Sequence, residues 1–85
     1  MTTEQIEHFV GSNPDDSSRS AKIFFKKRNT MEGVFIKAHD YFELKKKNFW
    51  RIVTAKNIDD YRQSKDIGIS RIFNGDEFSR LTPNN

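Results

Sequence analysis

Ten Lys and Arg residues lie between Lys22 and Lys56 against three acids, interleaved with Phe24, Phe25, Phe35, Phe42, Phe49 and Trp50. The block carries a formal charge of +7 while the whole chain is only +3, so the flanking segments are acidic. Cations neutralise phosphates and aromatic rings stack on bases, so such a block suits an anionic partner, nucleic acid above all. Two clusters concentrate the charge, Lys26-Lys27-Arg28 and Lys45-Lys46-Lys47, and Arg51 follows Phe49-Trp50. The candidate phosphate contacts are therefore Lys26, Lys27, Arg28, Lys45, Lys46, Lys47 and Arg51. Phe49 is the candidate stacking residue: strand neighbours face opposite sides, so a core Trp50 leaves Phe49 pointing outward beside Arg51. The same features have plainer uses. Charge runs cover solvated helix ends and hairpin tips, lysines protect sheet edges, and large aromatics are mostly buried.

Other chemistry is harder to assemble. His39 adjoins Asp40, but sequence neighbours rarely reach one reaction centre, and neither Cys nor a well-set Ser completes a nucleophilic arrangement. His8 stands in a different segment, and without cysteine or a clustered third ligand no zinc site is expected. The pairs Asp15-Asp16, Asp59-Asp60 and Asp76-Glu77 lack calcium-loop spacing. Gly11, Gly33, Gly68 and Gly75 form no phosphate-cradling loop. No catalytic residue, metal or cofactor is expected, and the chain is not expected to be an enzyme.

The elements that position these residues must come from one small domain, since 85 residues leave little room for more. The chain is 34% hydrophobic and 32% charged, near the disordered range, yet 13% aromatic, which makes a packed core credible. Leucine occurs only as Leu44 and Leu81, whereas Ile and Phe occur eight times each, favouring strands over a helical bundle. Absence of cysteine, of a leader-like N-terminus and of any run near ~18 apolar residues makes a cytoplasmic protein without a membrane span the expectation.

Residues 1–20 read as a flexible arm. Ile6, Phe9 and Val10 have helical spacing, Thr2 or Thr3 can cap the start and Gly11 can end it, so a short helix docks on the domain, binds a partner or frays there. Ser12 to Ser20 reads as a linker, and the domain spans 21–82. A strand from Ile23 to about Arg28 and another from Gly33 to Ala38 form a hairpin with a polar tip. Asp40 and Glu43 have capping-box spacing for a helix from Tyr41 to Lys47, whose lysines suit the C-terminal end of the helix dipole. Phe49 to Thr54 is the clearest strand. Asn57 starts a second short helix, Ile58 to Gln63. For residues 66–81 a hairpin turning at Asn74-Gly75 competes with a helix through Ile69, Ile72 and Phe73, and the hairpin is preferred. Residues 83–85 read as a disordered tail. The expected core is Ile23, Phe25, Val34, Ile36, Leu44, Trp50, Ile52, Ile58, Ile72 and Phe78.

The run from Ala21 to Ala38, with Glu32-Gly33-Val34-Phe35-Ile36, resembles the opening hairpin of small SH3-like or Sm-like barrels, and Ile72-Phe73-Asn74-Gly75-Asp76 would suit the closing hairpin. The helix before Phe49 departs from both patterns, since Sm folds place theirs before the first strand, and no Sm RNA-binding residue carries over. Asn48-Phe49-Trp50-Arg51-Ile52-Val53 and Arg71 to Phe78 are also similar to a group of short bacterial proteins of Bacteroidetes type, a resemblance that implies no activity.

The expected fold class is therefore α+β, a mostly antiparallel curved sheet or partial SH3-like barrel with one or two short helices. The leading expectation for function is a non-catalytic module that binds a protein partner or a second copy of itself through a free sheet edge. The alternative is a small barrel binding RNA or single-stranded DNA through the basic, aromatic surface.

Overall fold

The computed structural model describes residues 1–11 and 20–83. Helix α1 (Thr3–Gly11) precedes strands β1 (Ala21–Phe25) and β2 (Met31–Phe35), helix α2 (Tyr41–Lys46) and strand β3 (Phe49–Thr54). A 3₁₀ turn at Ala55–Asn57 leads into α3 (Ile58–Ser64), and another at Ile67–Ile69 into β4 (Arg71–Asn74). A third, Gly75–Glu77, joins β4 to β5 (Phe78–Pro83). The strands form one antiparallel sheet in the order β4-β3-β2-β1-β5, leaving β4 and β5 as its two edges. This is the expected small α+β architecture with an open sheet.

Alternation along the strands sorts the core. Ile23 and Phe25 of β1, Trp50 and Ile52 of β3, and Phe78 and Leu81 of β5 are buried together. Ile6 and Val10 of α1 complete that cluster, with Met31, Phe35 and Phe73 packed against it. Val34 and Val53 face each other across β2 and β3 and, with Ile36, are buried on the opposite side of the sheet. Gly33 lets β2 and β3 approach: a Cβ there would lie 2.7 Å from Ile52 Cγ2 and 2.8 Å from the Val53 carbonyl oxygen. A register shift between Phe24 and Phe25, where β1 pairs with β5, bends the sheet.

Helix α1 takes the docked alternative expected for it. The Thr2 hydroxyl accepts from Gln5 N and the Gln5 side chain accepts from Thr2 N, a reciprocal capping box, and Ile6 is fully buried. Helix α1 thus belongs to the core of the domain. The linker expected over 12–20 lies, Ser20 apart, outside the described residues, as do 84 and 85; Pro83 is the last residue of β5, not the first of a tail.

The expected β1–β2 hairpin is formed with shifted bounds: β1 ends at Phe25 rather than near Arg28, and β2 spans Met31–Phe35 rather than Gly33 to Ala38. The C-terminal piece follows neither alternative. Both strands exist, but β4 pairs with β3 and β5 with β1, so they do not pair with each other. Asn74 Oδ1 accepts from Asp76 N at 2.9 Å, so Asn74-Gly75 starts a tight turn that carries the chain from one sheet edge to the other. Ile72, placed in the expected core, is 48% exposed, and Leu44 and Ile58 are only half-buried.

Candidate nucleic-acid interface

The tip between β1 and β2 exposes Lys26, Lys27 and Arg28. Lys26 N donates to the Glu77 carbonyl oxygen at 2.9 Å, which ties the tip to the turn before β5. The Arg28 guanidinium folds over Phe25 and Phe73, 4.9 and 5.8 Å from the ring centroids. Phe25, Lys26, Lys27, Arg28, Asp76 and Glu77 enclose a cleft of about 450 Å³, basic on one wall and acidic on the other.

The second cluster splits. Lys46 and Lys47 are exposed at the C-terminal end of α2, where they complement the helix dipole. Lys45 is drawn inward: its ammonium is ion-paired to Glu7 of α1 and lies 5.5 and 5.0 Å from the ring centroids of Tyr41 and Phe42. The Glu7 hydrogen bond, outweighing burial, raises the Lys45 pKa. Lys45 is thus a tie between helices and leaves the set of available phosphate contacts.

Arg51 leaves it too. Its Nε and Nη2 bind both oxygens of Asp40, at 3.0 and 2.7 Å, and Nη1 donates to Ser70 Oγ at 3.1 Å. Asp40 makes no side-chain cap to α2, so the expected capping box is not formed.

Asn48 brings the two exposed clusters together. It has φ of 62°, a left-handed conformation that Asn tolerates better than most residues. Its side-chain amide donates to the Met1 carbonyl oxygen and to Asp76 Oδ1, and its own oxygen accepts from Trp50 Nε1. Gly75 N donates to the Asn48 carbonyl oxygen at 2.8 Å. Asp76 also lines the cleft beside Lys26–Arg28, so the end of α2 abuts the hairpin tip through one shared residue. The Met1 amine lies in the same corner, donating to the Gly75 and Phe78 carbonyl oxygens at 3.0 and 2.9 Å. Burial, then the positive charge of Lys26, lowers its pKa against the upward pull of Asp76.

Phe49, the expected stacking residue, is half-buried and paired with Asn74 of β4. The exposed aromatic is Phe42, 68% accessible on α2. Its signal was present in the pattern: Tyr41 and Leu44 mark the inward face of the helix, and one residue's rotation of 100° turns Phe42 away from it. Among the described residues no helix is long and apolar enough to cross a membrane. Comparison with protein-family models, curated proteins and solved structures found no match to this chain.

Proposed function

We propose that this protein is a non-catalytic nucleic-acid-binding module whose phosphate contacts are Lys26, Lys27, Arg28, Lys46 and Lys47. The observation that carries this is the junction at Asn48 and Asp76: Asn48, which follows Lys47, donates to Asp76, and Asp76 lines the same cleft as Lys26, Lys27 and Arg28. Lys45 and Arg51 are not part of the contact set, because Glu7 and Asp40 neutralise them. An open sheet with β5 beside β1, its strands interrupted by α2 and α3, is only partly like a barrel of the SH3-like or Sm-like kind. Fold likeness alone assigns no function.

The test is fluorescence anisotropy of labelled RNA and DNA oligomers titrated with the protein at low and near-physiological salt. Lys26→Gln with Lys27→Gln, and separately Lys46→Gln with Lys47→Gln, should each weaken binding and each reduce the salt slope by roughly 2. Lys65→Gln is the control, since Lys65 is exposed at the end of α3 and belongs to neither cluster. Equal losses in all three variants, or none, would refute the assigned surface.

A second function, strand addition by a protein or a second copy, is favoured by one feature. Edge strand β4 is free on one side and carries Ile72, 48% exposed. Against it, Ile72 and Phe42 are the large hydrophobics standing exposed among the described residues, and they lie on different elements, whereas stable protein interfaces have a contiguous apolar centre.

A further inference from the structure

We infer that Phe42 is a base-stacking residue and that the nucleic acid taken by this surface is single-stranded. This rests on the nucleic-acid function proposed above and names its substrate class.

Phe42 has little structural reason to be a phenylalanine. At 68% exposure it buries little of its ring, and leaving that much apolar surface in water forgoes the stabilisation its burial would bring. Yet the ring is not loose. Phe42 meets Tyr41 edge to face, with centroids 5.4 Å apart at 80°, and Tyr41 meets Trp50 in the same way at 6.0 Å and 69°. Trp50 is 2% exposed and its indole N–H is held by Asn48. The exposed ring therefore stands at the end of a ladder of edge-to-face contacts rooted in the core, and its orientation is set before any ligand arrives.

Lys45 Nζ, 5.0 Å from the Phe42 centroid, is already paired with Glu7, while Lys37 Nζ lies 5.7 Å from the Tyr41 centroid. Lys46 follows Phe42 by four residues, so both lie on one face of α2, about 5–6 Å apart at Cβ. A ring and an exposed ammonium at that spacing can take the base and phosphate of one nucleotide. Lys47 and the hairpin tip continue the basic surface past Asn48. A base paired within a duplex offers no free face to a side chain on such a helix; an unpaired base does.

The experiment uses the full chain with Phe42→Ala, Phe42→Trp and the Lys46→Gln, Lys47→Gln pair. Binding is measured by anisotropy to a labelled pyrimidine single strand and to a duplex of equal length, at three salt concentrations. Phe42→Ala should weaken single-strand binding about 10-fold, as loss of one stacked base does, with the salt slope unchanged and duplex binding unaltered. Phe42→Trp should retain single-strand affinity, and its added fluorescence should be quenched on binding. If Phe42→Ala binds the single strand as tightly as the parent while the lysine pair weakens it, stacking is refuted and the phosphate surface stands. If the parent binds neither probe at low salt, both fall. An unfolded Phe42→Ala protein leaves the decision to Phe42→Trp, where binding without quenching refutes stacking.

Discussion

Arg51 and Asp40 are side chains only 17% and 23% exposed, and their fork links the start of α2 to β3 and, through Ser70, to the segment before β4. The Arg51 hydrogen bonds chiefly hold the Asp40 carboxyl below its ordinary value of 3.8, opposed by burial. A carboxyl whose pKa is depressed on folding adds stability above its unfolded value and loses it as the pH falls through the lower folded value. Asp40→Asn should therefore destabilise the protein at neutral pH, and the deficit should shrink between about pH 5 and pH 2. Urea melts at both ends of that range check this; a deficit independent of pH would mean that the carboxylate charge is not what matters. The residue scale also shows why the site was only partly legible. Lys45 and Arg51 are ordinary surface cations by type and lose that role only because Glu7 and Asp40 reach them in the fold.

At the scale of elements, the N-terminal helix adds Ile6 and Val10 to the main core cluster. Its period was readable from Ile6, Phe9 and Val10, but a helix this short is marginal alone, and only the sheet beneath makes its apolar stripe worth burying. Ile6→Ala should cost about 2–5 kcal/mol, since Ile6 is fully buried in the main cluster. Ile72→Ala, at a position the periodicity had assigned to the core, should cost within about 0.5 kcal/mol. Denaturant midpoints separate the two, and equal effects would mean that α1 does not dock. The two capping boxes make the same point. Thr2 and Gln5 form theirs, whereas Asp40 has the spacing for one and binds Arg51 instead.

For the whole molecule, net charge is a poor guide, because +3 conceals a block of +7 between Lys22 and Lys56. Binding through about five phosphate contacts should fall by about 10²-fold between 50 and 200 mM salt, despite the small net charge. A salt-independent affinity would point to a different surface. Strand addition at β4 predicts instead a mass that rises with concentration, and sedimentation giving a constant monomer mass would exclude self-association there.

Local sequence determined most of the elements: the helical stripe of α1, the hairpin of β1 and β2, α2 to within a residue, the whole of β3, and the turn at Asn74-Gly75. These follow from side-chain period, caps and turn chemistry, which act within a few residues. Tertiary structure alone decided that β4 and β5 take opposite edges of the sheet, that Ile6 is core and Ile72 is not, and that Phe49 is half-buried. It also decided which cations remain available, Lys26, Lys27, Arg28, Lys46 and Lys47. Strand partners, ion pairs and exposure depend on contacts between residues dozens of positions apart, and spacing along the chain carries no record of which distant partner a side chain will meet.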